Sequence, residues 1–337
     1  MVQCPLPPFL KETSNSRRNS QRIPEYRLTG KKPYVFRAEK PGDLPGVHAD
    51  LMRKTLCRSE GLIYLLYSPI IPEEKGPFGL CATSGSYSVA VTKHRFIISE
   101  DRHIDGIAPT VRSIPFDHVF YAELGNALFF GWFSIQFVVD DKPSCTRLFF
   151  PATTGMEHFG IAVRKYRSMT GPAYDQSSVD TIDWADIWRH TPKTEADHLK
   201  PLILREEIPF NMLRSSERWI LRKRLRKSIP VYLSTNGILV STNFGLIHAT
   251  DEPCTRPEIF GFGVKAFCIP SDALKSAQLL QKSMNGRSLR FLQLKIARGK
   301  VTIDFDIPFD GSSLRDAESL VYFINRDMPL DEEARIS

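Results

Sequence analysis

YSVAVTKHRFIIS, residues Tyr87 to Ser99, reads as two short strands joined by a tight turn. Branched and aromatic side chains fill both halves and Lys93-His94 interrupts them, which is how a hairpin looks in sequence. A second version follows as IPVYLSTNGILVS, Ile229 to Ser241. Aligned without gaps, Val89 falls on Val231, Thr92 on Ser234, Arg95 on Gly237 and Phe96 on Ile238. Downstream, Ile114-Pro115 with Asp117 answers Ile269-Pro270 with Asp272, Gln136 answers Gln293, and Gly155 answers Gly311. Four landmarks in one order predict an internal duplication.

The surrounding text fits that expectation. From Ser59 the runs GLIYLLYSPII, VRSIPF, VFYAEL, FGWFSIQFVV and CTRLFF are separated by Gly, Pro, Asp and Ser, the mark of strands and turns. Phe133, Ile135, Phe137 and Val139 keep the period of two of a strand with one face on a core. After Pro151 the period changes. Phe159, Ala162, Val163 and Tyr166 lie on one helical face, and Leu314, Ala317, Val321 and Ile324 do the same near the carboxyl end. The predicted division is a flexible basic arm over 1–50, a first unit over 51–168, a linker over 169–200 carrying the Trp184/Trp188 island, and a second unit over 201–330. The arm is rich in Pro, Arg and Ser with few aliphatic residues, too few to offset the entropy of ordering.

The chain has 337 residues, 42% hydrophobic and 25% charged, with a formal charge of +7. That charge is local. Residues 1–40 carry a net +6 and residues 211–227 another +6, leaving the rest at −5, so an anionic partner is to be sought at two places. Six cysteines show neither a CxxC pair nor a regular spacing, which favours reduced thiols in a cytoplasmic protein over a disulfide scaffold or zinc ribbon. The longest apolar runs fall short of the roughly 20 residues that a membrane-spanning helix needs.

At VTKHRFIIS the chain resembles bacterial pleckstrin-homology-like domains of the GRAM type. In these a strand ends in Thr and a tight turn delivers Arg into the next strand, here Thr92, Lys93-His94 and Arg95 followed by Phe96-Ile97-Ile98. The IP-x-D text before a strand and the terminal amphipathic helix fit the same family. The resemblance implies a mainly β (α+β) fold: two bent antiparallel sheets or barrels, each closed by its carboxyl-terminal helix. Members bind phosphoinositides, peptides or partner proteins, and those that bind inositol phosphates carry a basic comb in their first strand pair.

The strongest charge feature is NMLRSSERWILRKRLRK, 211–227. As a strand it places Arg222, Arg224 and Arg226 on one face, a comb able to grip phosphate or carboxylate; Lys93 and Arg95 form a smaller one. The competing reading is a solvated edge strand whose charges deter aggregation. The histidines show no HExxH spacing, Asp304, Asp306 and Asp310 miss the calcium-loop pattern, and GxSxG and Walker texts are absent. The expectation is a non-enzymatic interaction or scaffolding protein without cofactor or metal, its partner a protein. The alternative is peripheral binding to anionic lipid or another polyanion at the inner membrane face, with nucleic acid disfavoured because aromatics do not interleave with the basic residues.

Overall fold

The computed structural model describes residues 34–57, 59–69, 85–102, 107–127, 130–171, 181–215, 218–224, 227–234, 236–252, 263–284 and 287–326. It is mainly β, with antiparallel sheets and a carboxyl-terminal helix. The first sheet takes β1 (Phe36–Arg37), β2 (Leu62–Ser68), β3 (Ser86–Thr92), β4 (Arg95–Arg102) and β5 (Ile107–Pro115) in that order, with helix α1 (Val47–Thr55) on its outer face. Then come β6 (Val119–Ala127), β7 (Phe130–Val139), β8 (Lys142–Pro151) and helix α2 (Ala152–Thr170), capped at its end by Gly171 at φ +75°. Two short helices, α3 (Trp184–His190) and α4 (Lys193–Leu199), lead into β9 (Pro209–Ser215), β10 (Arg218–Arg224), β11 (Lys227–Ser234), β12 (Gly237–Thr242), β13 (Gly245–Glu252) and β14 (Gly263–Pro270). Strands β15 (Leu274–Met284), β16 (Arg287–Arg298) and β17 (Val301–Phe309) form a three-stranded sheet, and helix α5 (Leu314–Arg326) follows.

The sheet in the middle of the molecule has the order β8-β7-β6-β14-β13-β12-β9, so strands from both predicted units lie in one sheet, joined where β6 pairs with β14. Its two faces serve two cores. One is shared with the first sheet and α2 and holds Phe96, Phe133, Phe159 and Tyr166 together with Val240, Ile247 and Cys268. The other lies against β15–β17 and α5 and holds Leu239, Leu246, Phe267, Leu292 and Phe323. Among the described residues every sheet is open, with two free edges.

The registers correct the alignment on which the duplication was predicted. β11 pairs with β10, whereas β12 lies between β9 and β13. The hairpin that matches β3–β4 is therefore β12–β13. In the first, Arg95 opposes Pro115 and Thr92 opposes Leu62; in the second, Gly245 opposes Pro270 and Thr242 opposes Pro209. Thr92 Oγ1 donates to the Arg95 carbonyl at 3.0 Å and accepts from His94 N at 3.2 Å; Thr242 Oγ1 lies 3.1 Å from the Gly245 carbonyl and accepts from Phe244 N at 3.2 Å. Thr242 and Gly245 thus take the places of Thr92 and Arg95, and β10–β11 is a ribbon inserted between the first and second strands of the second unit. The later landmarks move too. Ile135 opposite Ala122 answers Leu294 opposite Ala277, so the equivalent of Gln293 is Ser134, and Pro151 and Asp310 both stand before the closing helices.

Gly237 is then a strand residue, and its lack of a side chain answers crowding: a Cβ there would lie 2.7 Å from Ser215 Oγ and 2.8 Å from the Ala249 carbonyl. The glycine the turn needs is Gly245, at φ +116° with the Ile269 carbonyl 2.2 Å from where a Cβ would stand. Gly245→Ala is expected to cost about 3 kcal/mol, from the left-handed backbone and overlap with backbone that cannot move aside. Gly299→Ala, at φ +57° with open space around it, should cost only about 1 kcal/mol. Urea titration of both variants checks this; equal losses would remove the steric argument.

Two predicted segments are more structured than expected. Residues 34–50 belong to the fold: Val35, Ala38, Leu44 and Ala49 are buried, because this stretch carries the apolar residues that cover Leu65, Ala90 and Ile97. Residues 1–33 of the arm lie outside the described residues. In 169–200, α4 lies on β13 and β14 as α1 lies on β4 and β5, and its Leu199 joins the first core. Trp184 and Trp188 stack at 5.2 Å, and the Trp184 indole donates to the Glu207 carbonyl at 2.9 Å.

Candidate functional site

The basic segment 211–227 is divided between β9, which holds 211–215, and the β10–β11 ribbon, which begins at Arg218. From 218 to 234 the chain carries six Lys or Arg and no Asp or Glu. Arg222 opposes Ile229 and Arg224 opposes Lys227 in the ribbon, so the two arginines, two residues apart on one strand, belong to one face. Arg226 is in the connection between β10 and β11, outside the described residues. The ribbon pairs with no other strand among the described residues, and β11 passes close to β17.

Lys93 and Arg95 do not form a second comb. Arg95 is held by Glu60, with Nε–Oε1 at 2.6 Å and Nη2–Oε2 at 2.5 Å; its remaining donors reach Ser113 Oγ at 2.7 Å and the Thr55 carbonyl at 3.2 Å. The hydrogen bond from Arg95 keeps the Glu60 carboxyl below its ordinary range. A guanidinium so occupied ties α1 and the following loop to the first sheet and has little left for a ligand. Lys93 is exposed, its stem lying over Gly61.

A buried charged network joins the units beneath these surfaces. Arg167, in the last turn of α2, makes a two-point contact with Glu207, with Nη1 at 2.9 Å from Oε2 and Nη2 against Oε1, and Nη1 also donates to the Leu202 carbonyl at 2.6 Å. Glu207 further accepts from Leu204 N at 2.9 Å and from Thr242 Oγ1 at 2.6 Å. Helix α2 of the first unit, the lead-in to β9 and the β12–β13 turn therefore meet at one carboxylate. Nearby, Arg298 donates from Nε to the Val119 carbonyl at 2.6 Å and from both terminal nitrogens to Asp272 at 2.8 Å, binding β16 to the start of β6.

Two buried histidines complete the polar interior. His48 on α1 sits 2.6 Å from Ser99 Oγ and 2.8 Å from Ser86 Oγ, and burial pushes its pKa down to about 4, with Asp101 acting in the opposite sense. Both ring nitrogens are satisfied and covered, so this serine–histidine cluster keys α1 to the sheet. His248 on β13 is 6% exposed, stacks on Phe267 at 5.9 Å and meets the edge of Phe305 at 6.1 Å, with neither ring nitrogen hydrogen-bonded. Burial first, then the charge of Lys265, lowers its pKa to about 3.

None of Glu207, His48 or His248 stood out in the sequence. Among the described residues, no three His, Cys, Asp or Glu side chains gather as a metal cage, and no helix is long and apolar enough to cross a membrane. Cys57, Cys145 and Cys268 form no disulfide, and Cys145 Sγ lies 3.4 Å from Ser134 Oγ. No protein-family model matches the chain, and no curated protein matches it.

Proposed function

We propose that this chain is a non-enzymatic interaction protein, built of two pleckstrin-homology-like units, that docks on anionic lipid surfaces through the β10–β11 ribbon. The observation that carries the reading is the ribbon itself: six cations and no acid over 218–234, on a two-stranded ribbon that pairs with no other strand among the described residues. Its place also supports it. The ribbon is inserted between β9 and β12, the first two strands of the second unit, which is where lipid-binding members of the resembled family carry their basic comb. The repeated order of four strands, three strands and a helix, with the turn amide donating to the Thr hydroxyl in both copies, supports the family assignment.

Each cation near an anionic leaflet contributes about 1 kcal/mol, so Arg222→Ala/Arg224→Ala/Arg226→Ala together should weaken binding by about 3 kcal/mol, roughly a hundredfold. Sedimentation with phosphatidylserine vesicles at low and high salt measures it. Binding that falls with salt and is lost in the triple variant is expected. No binding at low salt would remove the lipid reading, and binding unchanged in the triple variant would remove the ribbon's part in it.

A further inference from the structure

The junction between the two units is half of a pattern that the chain leaves open at both ends. Unit one contributes β6, the first strand of its three-stranded sheet, and unit two contributes β14, the last strand of its four-stranded sheet; they pair antiparallel from Ala122 opposite Cys268 to Ala127 opposite Gly263. The equivalent of β6 is β15. Both strands carry a register shift at the same place, between Val119 and Tyr121 and between Leu274 and Ser276, and both then run on with Ala122 opposite Ile135 and Ala277 opposite Leu294. The equivalent of β14 is β5, since Pro270 opposes Gly245 as Pro115 opposes Arg95. Among the described residues β15 pairs only with β16, and β5 only with β4.

The open edge of β5 has the composition of a surface awaiting cover. Residues 107–113 are exposed on both faces of the strand, and Ile107 and Val111 are 45% and 38% exposed, among the few large apolar side chains in the described residues that face solvent to this degree. Period-two alternation puts Val111 and Ser113 on one face, and the register against β4 shifts between Glu100 and Arg102, so that alternation does not carry through to Ile107. Pro109 suits an edge, where a missing amide costs no bond within the sheet.

We propose that copies of this chain associate head to tail, the free edge of β15 in one copy pairing with the free edge of β5 in the next in the register that β6 and β14 use within each chain. Carried over residue by residue along the regular part of β5, that register sets Ala277 opposite Ser113 and Leu279 opposite Val111. Leu279, partly buried against the second core, thereby meets the exposed Val111. The contact is heterologous, two different patches meeting, so it generates a ring or an open series.

One side chain in the isolated chain already occupies part of this edge. Asn325 of α5 accepts from the Ala277 amide at 3.0 Å and donates to the Ala277 carbonyl at 2.9 Å, as a neighbouring strand would. At the equivalent Ala122 the neighbour is a strand. Asn325 therefore stands in for the absent partner and competes with it, and Asn325→Ala should favour assembly.

Mixed cross-linking tests the idea in the full-length protein with Cys4, Cys57, Cys81 and Cys254 changed to Ser. Val111→Cys and Leu279→Cys are made separately, mixed and oxidised at high protein concentration; Val111 is exposed, so its replacement should leave folding intact. A disulfide-linked dimer in the mixture and in neither variant alone is expected, together with an average mass in sedimentation that rises with concentration, more steeply for Asn325→Ala. Cross-linking of Val111→Cys with itself to the same extent would overturn the head-to-tail arrangement. A monomer mass throughout for both the parent and Asn325→Ala, with no mixed disulfide, would overturn self-association altogether.

Discussion

Glu207→Ala should destabilise the protein by about 3–5 kcal/mol, the loss expected when one partner of a buried ion pair is removed and the other charge stays behind. Arg167 is almost wholly buried, and without Glu207 its guanidinium would keep the Leu202 carbonyl as its acceptor, while Leu204 N would lose its side-chain acceptor and Thr242 Oγ1 would be left with the Gly245 carbonyl. The effect is not a measure of how much the pair stabilises. Bringing both charges out of water is costly, and the double variant Arg167→Met/Glu207→Leu should recover most of the loss. Urea unfolding of the single and double variants decides it. A Glu207→Ala loss below about 1 kcal/mol would mean that water reaches the site or that the network rearranges around the gap.

The second large effect is in acid. His248 has a folded pKa of about 3 against an ordinary value of 6.5, so in the folded protein it stays neutral while in the unfolded chain it takes up a proton as pH drops below 6.5. Stability is therefore greatest above pH 6.5 and falls as pH is lowered toward 3, by up to about 5 kcal/mol from this residue. His48, held near 4 by burial and partly opposed by Asp101, adds a loss of the same sign over pH 6.5 to 4. Lys265 on β14 also disfavours the protonated ring. His248→Leu should flatten the dependence between pH 7 and 5 and leave stability at pH 7.5 unchanged or higher, since two unbonded ring nitrogens are removed from the core. Urea midpoints at several pH values test this. A variant with the parent's pH slope would show that another group carries the acid sensitivity.

Much of the fold was legible because it depends on local periodicity. The strand runs, both closing helices and the Thr-turn hairpin all follow from residues close in sequence. The error in the repeat has a local cause as well. Ser-Thr-Asn occurs twice, at 234–236 and at 241–243, and either fits the hairpin text. Only pairing between distant strands selects the second, by placing Gly245 opposite Pro270. Once that phase is fixed, His248 falls where Ile98 stands in the first copy, a polar residue in an aliphatic position that the correct alignment would have exposed.

The candidate site was less legible, for a different reason. Charge runs such as 218–227 can be seen in sequence, but whether an arginine is free or occupied depends on partners far away. Arg95 meets Glu60 from 35 residues earlier, and Arg167 meets Glu207 from 40 residues later. The basic ribbon announced itself by composition. The inner network, whose members are single residues in unremarkable surroundings, could not.

The β6–β14 pairing also bears on what the connection between α2 and α3 does. By its length in residues alone, such a tether sets about a millimolar effective concentration of one half near the other, at which even an interface too weak to join two separate molecules stays closed. Severing the backbone there would not by itself part the halves, because the Arg167–Glu207 and Arg298–Val119 contacts and the shared core span the cut. It would turn a folding problem into a binding equilibrium, with a dissociation constant that reads directly how much of the central sheet's stability comes from the tether and how much from the strands.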